Sequence, residues 1–134
     1  MSYMYGSIDL TVTGQIDKLN QVSAFIQSVE YDSENAKKLQ HEFLEDWNKA
    51  LVEAEPDADG HGELFLNNFY EVSHIAVQLI QKIGWNFPDL EIFCEADMSD
   101  SITDEEGHFL LRKPAGSTEW EDDDFLLEMA DSYW

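Results

Sequence analysis

The sequence predicts a two-layer α+β domain, with a mostly antiparallel sheet of about four strands and helices packed on one of its faces. Short runs that alternate apolar and polar residues are interleaved with longer stretches in which apolar residues recur every three or four positions. The 134 residues are 43% hydrophobic and 13% aromatic, enough to bury one core. No internal repeat or low-complexity linker divides the chain, so residues 1–134 read as a single domain ending in an acidic segment from about 119 to 134.

The elements follow in order. Ile8, Leu10 and Val12 alternate with Ser7, Asp9, Thr11 and Thr13, the pattern of a half-buried strand. After Gly14, Ile16, Leu19, Val22, Phe25, Ile26 and Val29 fall on one helical stripe. A second helix is expected over 34–54, capped by Ser33 or Asp32, with Ala36, Leu39, Phe43, Trp47, Ala50 and Leu51 facing inward and both signs of charge facing out. GELFL is a short strand. A helix over 69–83 then buries Val72, Ile75, Ala76, Leu79, Ile80 and Ile83, and Gly84 ends it. Pro88 opens a strand in which Leu90, Ile92, Cys94 and Ala96 alternate with Glu91, Phe93, Glu95 and Asp97. Asp104-Glu105-Glu106-Gly107 forms a hairpin turn, with Gly107 at positive φ, before the strand HFLLR at 108–112. The run EWEDDDFLLEMADSYW closes the chain with a helix over 121–131, whose acidic first turn suits the helix dipole.

The opening SIDLTVTG with its helix, the strand FPDLEIFCEADMSD and the hairpin strand DEEGHFLLR resemble the ferredoxin-like domain of small proteins encoded by plasmids and phages. The chain departs from that pattern in its long second helix and its acidic tail. The resemblance implies a ferredoxin-like variant of the fold and an origin on a mobile element. It brings no catalytic residues.

The residues offer little chemistry. EPDADGHGELFL at 55–66 starts like a calcium loop, with Glu55, Asp57, Asp59 and Gly60 in register. Leu66 stands where the closing glutamate belongs, so an acidic turn is expected instead. HEFLE at 41–45 has Glu45 where a zinc helix needs its second histidine, and His61, His74 and His108 are scattered. His74 reads as a flank of the core. Cys94, the single cysteine, sits mid-strand with no cation near it in sequence, which marks a buried residue and excludes an internal disulfide. No nucleophile elbow, phosphate loop or dinucleotide fingerprint is present. No enzymatic activity, no cofactor and no metal are expected.

Charge is the informative feature. Seven basic residues stand against 29 acidic ones, a net charge of −22. The acids are clumped and interleaved with aromatic residues, which points to a face used for binding rather than to even solvation. Nucleic acid and anionic membranes would be repelled, leaving a basic protein as the expected partner. The expected contacts are Glu119, Trp120, Glu121, Asp122, Asp123 and Asp124, with Asp104, Glu105 and Glu106 at the hairpin tip and Glu95 and Asp97 on the preceding strand. The expectation is a cytoplasmic, stoichiometric inhibitor that mimics nucleic acid and blocks a basic DNA- or RNA-handling defence protein, of anti-CRISPR or anti-restriction type. The alternatives are an immunity protein capping a toxin nuclease, a metal-dependent domain and a structural phage protein.

Overall fold

The computed structural model describes residues 4–71, 74–100 and 106–122. In chain order the elements are β1 (Met4–Gln15), α1 (Ile16–Ser28), α2 (Glu34–Glu53), β2 (His61–Glu71), α3 (His74–Asn86), β3 (Glu91–Asp100), β4 (Glu106–Lys113) and β5 (Glu121–Asp122). The strands form one sheet in the order β2-β1-β3-β4-β5, every neighbouring pair antiparallel. This is the predicted α+β class, with a short fifth strand added at one edge.

The connections explain the order. Two helices take the chain away from the end of β1 and back again, so Gln15 lies opposite His61 and β2 must run antiparallel to β1. One helix, α3, then carries the chain the length of the sheet, from Glu71 opposite Tyr5 to Glu91 opposite Thr13. Strands β2 and β3 are therefore parallel to each other with β1 between them, a split β-α-β unit.

Local chemistry fixes the helix junctions. Of the two expected caps of α2, Ser33 rather than Asp32 is the one used, its hydroxyl accepting from the Ala36 amide at 3.0 Å. Helix α1 has no side-chain cap; its first amide, Ile16 N, donates to Gly60 O at 2.9 Å instead. At the other end of α1, the Gln40 side-chain amide donates to Ile26 O and Val29 O, both at 2.6 Å, so α2 adds a donor to the carbonyls at the end of α1. Trp47 Nε1 donates to Leu19 O at 3.0 Å in the core between the two helices.

One face of the sheet is covered. Ile8, Leu10, Val12, Leu64, Leu66, Leu90, Ile92, Cys94 and Leu111 pack with Leu19, Val22, Ile26, Leu39, Phe43, Trp47, Leu79, Ile80 and Ile83 in a single cluster. Burial pushes the Cys94 thiol up to about 12, with Asp9 and Glu95 acting in the same direction. No helix among the described residues is long and apolar enough to cross a membrane.

The structure corrects several expectations. The helix expected from residue 69 starts at His74, because Phe69 and Tyr70 pair with Ser7 and Gly6 in β2. Ladder bonds to β1 override a local helical pattern there. The third strand starts at Glu91 rather than at Pro88, which lies in a turn. Gly84 does not end α3: the helix continues to Asn86, and Gly84 is buried where a Cβ would overlap the Trp120 ring and meet Lys113 Cδ at 3.0 Å. Glu106 and Gly107 are in β4, opposite Ser99 and Met98, rather than in the hairpin turn. Glu121 and Asp122 do not open a helix. They are extended and pair with Arg112 and Leu111. The remainder of the helix expected over 121–131 lies outside the described residues.

Candidate interaction face

The three helices carry six acidic and five basic residues, a net charge of −1. The rest of the chain holds 23 acidic and two basic residues, net −21. Nearly all the net charge therefore lies off the helical layer. The two cations left are Arg112 and Lys113, and Lys113 is buried.

Lys113 is spent on structure. Its ammonium lies within hydrogen-bond distance of four backbone carbonyls, which share its three N–H groups: Pro88 at 2.9 Å, Leu90 at 2.5 Å, Pro114 at 3.1 Å and Ser117 at 2.8 Å. Desolvation lowers its pKa, and Asp89 opposes that shift. This knot ties the loop after β4 to the turn before β3. It also sets Trp120 over Gly84, where the ring is partly buried against the core and Nε1 has no hydrogen-bond partner among the described residues.

The face of the sheet turned away from the helices is the other result of strand alternation. Its described side chains include Ser7, Asp9, Thr11 and Thr13 on β1, Glu63, Phe65 and Asn67 on β2, Glu91, Phe93 and Glu95 on β3, and Leu110 and Arg112 on β4. Thr11 lies directly opposite both Phe65 and Phe93, and Phe93 lies opposite Arg112, which makes one row across four strands. Phe65 is 61% exposed, and Phe93 and Leu110 are each 41% exposed. On one side of this row stand Glu63 and Glu91, flanking Thr13; on the other stand Asp9 and Glu95, facing each other. Asn67 donates to the Asp9 carboxylate across the strands. An apolar row between two carboxylate rows is the composition of a binding surface with an aromatic centre.

The residues expected at the site are placed as follows. Glu95 is on this face, partly buried, and Asp97 lies two residues further along β3, opposite Ser7 and His108. Glu106 begins β4 opposite Ser99, Glu121 and Asp122 form β5, and Glu119 is exposed in the loop just before it. Trp120 turns inward. Asp104, Glu105, Asp123 and Asp124 lie outside the described residues. The side chains that sequence reading passed over are Phe65, Phe93 and Leu110. A signal existed for Phe93, which alternates in phase with Glu91 and Glu95 and so had to share their face.

A second feature sits at the end of the sheet where β1 stops and β2 starts. Residues 57–60 form the expected acidic turn: the Asp57 carboxylate accepts from the amides of Asp59 at 2.9 Å and His61 at 3.0 Å, and Gly60 takes φ 80°. The bond from the His61 amide is the main reason the Asp57 carboxyl titrates below its ordinary value. Asp57, Asp59 and His61 bring their ligand atoms within 4.8 Å of one another, all exposed. Leu66 is buried in β2 and faces the core. Beside the turn is a cleft of about 370 Å³ lined by Gln15, Lys18, His61, Asp89 and Glu91 among others, with the Gln15 amide 3.3 Å from the His61 ring.

Comparison of the chain with protein-family models, with curated proteins and with solved structures gives no match.

Proposed function

We propose that this protein is a stoichiometric inhibitor that occupies the nucleic-acid-binding surface of a basic, DNA- or RNA-handling protein. The observation that carries the reading is the segregation of charge, net −1 on the helices and −21 on the remainder. A uniformly acidic coat needs no such division. A surface that must present negative charge to one partner does. A defence factor such as a restriction or CRISPR complex is the target class, the inhibitor comes from a mobile element, and it acts in the cytoplasm without a cofactor. In the sequence, the run Glu119–Asp124 together with Asp104, Glu105 and Glu106 supplies eight of the 23 acids off the helices.

The reading is tested with the immobilised full chain. Basic proteins of the host should be retained at low salt, released by added duplex DNA or RNA, and released as ionic strength rises and the Debye length falls from about 10 Å at 0.1 M to about 3 Å at 1 M. Retention indifferent to both nucleic acid and salt overturns it. The exposed Phe65 and Phe93 favour a second reading, an immunity-type plug anchored by aromatic residues. In that case nucleic acid would compete, but one or two substitutions would remove most of the affinity.

A further inference from the structure

We propose that the open sheet face receives a basic amphipathic helix of the partner protein, its apolar stripe laid along the row Phe65–Thr11–Phe93 and its Lys and Arg residues reaching the carboxylates on either side. The inference rests on the basic partner of the preceding section and adds where and by what shape that partner is held. Neighbouring strands lie about 4.8 Å apart, so the two rings, one strand removed from each other, are about 9–10 Å apart along the row. Same-face residues along a strand repeat every ~7 Å, which sets the carboxylate rows about 13–14 Å from one another. A helix with its side chains is about 10–12 Å across. A helix centred on the aromatic row therefore brings its two flanks to Glu63 and Glu91 on one side and to Asp9 and Glu95 on the other. Leu110, diagonal to Phe93, widens the apolar strip toward β4.

Charge decides between occupants. A second copy of the chain would set the same carboxylates against these. The chain's own residues 123–134 include Asp123, Asp124, Glu128 and Asp131 and no base, so they too are mismatched to the acidic rows. Phosphate backbones and anionic lipid are repelled and offer no apolar stripe. A helix with cations on both flanks of an apolar stripe satisfies the rows and covers the rings. Arg112 closes the row at β4 and favours the carbonyl end of the docked helix there.

The test uses the full chain, isotopically labelled, with three synthetic probes at low salt. These are a leucine–lysine amphipathic helix, the same helix with glutamate for lysine, and an oligolysine of equal charge. The leucine–lysine helix should shift the amide resonances of Thr11, Phe65, Phe93 and Leu110, and should bind about tenfold or more tighter than oligolysine. The Phe65→Ala/Phe93→Ala variant should lose about tenfold in affinity for it. Thr11→Lys, which leaves both rings and plants a cation between them, should lose as much. The glutamate helix should not bind. Equal binding by the parent and both variants, or shifts confined to the helices, overturns the proposal. So does tighter binding after truncation beyond Asp122, which would show the chain's own end on this face, or a parent dimer that the alanine variant dissolves. If oligolysine binds as tightly as the amphipathic helix, the open-face docking is wrong while the basic-partner reading survives. If neither basic probe binds, both fall.

Discussion

The two faces of one sheet have opposite fates. On β2, Leu64 and Leu66 are 0% and 5% exposed, while Phe65 between them is 61% exposed. On β3, Ile92 and Cys94 are both fully buried while Phe93 is 41% exposed. The covered face meets three helices whose outer surfaces are nearly balanced in charge, with Lys37 3.6 Å from Glu34 on α2. The open face meets solvent with four carboxylates, one guanidinium and an aromatic row. Because alternation has period two, each strand commits one set of residues to stability and the other to whatever the face contacts. Large apolar side chains on the open side are not explained by the core.

This division predicts a graded set of effects, beginning where the covered face is densest. Trp47 is fully buried, stacks near Phe43 with ring centroids 6.3 Å apart, and holds Leu19 O. Trp47→Ala should cost about 3–5 kcal/mol, read by urea unfolding at neutral pH. A loss under 1 kcal/mol would mean that the core is not organised around it.

Lys113 comes next. Lys113→Met keeps the length of the stem and removes the donor to four carbonyls, an expected loss of about 3 kcal/mol. The loss should appear with a change in Trp120 fluorescence environment, because the loop that carries the ring is no longer tied. Gly84→Ala should cost about 1–3 kcal/mol by forcing that ring off the helix. The same substitution at an unobstructed helical glycine stabilises by up to ~1 kcal/mol, so even the sign of the change is diagnostic.

Alkaline titration tests the covered face from another side. The Cys94 thiol ionises from an ordinary 9.0 in the unfolded chain but only near 12 when buried. Between those values the folded state holds a proton that the unfolded state has lost, so the contribution of Cys94 to stability falls as pH rises, by at most about 1.4 kcal/mol per pH unit. Lys113 acts in the opposite sense, since its depressed pKa makes stability rise with pH on the approach to 10.5. Comparing the parent with Cys94→Ala isolates the thiol: the variant should lose stability less steeply above pH 9. Parallel curves would contradict the burial.

Much of the fold was legible because it is written in local periodicity. The stripe of α1 was readable from spacing alone and the cap of α2 was narrowed to Ser33 or Asp32, while the buried sets Ile8–Leu10–Val12 and Leu90–Ile92–Cys94 followed from alternation. What failed depends on contacts distant in sequence. The run Phe69–Glu71 extends β2 only because β1 lies beside it, and Glu121 and Asp122 become a strand only because β4 offers an edge. Gly84 looks like a helix stop until Trp120, 36 residues later, is seen to require its missing Cβ. Lys113 carries no mark of burial in a string of letters. For the candidate face, acidity was legible and alternation put Phe93 with Glu91 and Glu95, but that Phe65 stands in the same row depends on the register of β2 and β3 against β1, which no local pattern carries.

The smallest expected effect is the sharpest test of the comparison. Phe65→Ala and Phe93→Ala remove side chains as large as Phe43, yet the rings are 61% and 41% exposed on the face away from the helices, so their loss leaves no cavity in the core. Removing them should change unfolding free energy by less than about 0.5 kcal/mol, the range of ordinary surface substitutions. Phe93 has the tighter limit to respect, since it faces Thr11 across one strand and Arg112 across the other. Cross-strand pairs of this kind contribute about 0.2–1 kcal/mol, so Phe93→Ala should lie above Phe65→Ala, whose only sheet neighbour among the described strands is β1. A loss of several kcal/mol at either position in thermal or urea unfolding would show that this face is covered in the isolated protein, and the division of the sheet into a structural side and a binding side would then fail.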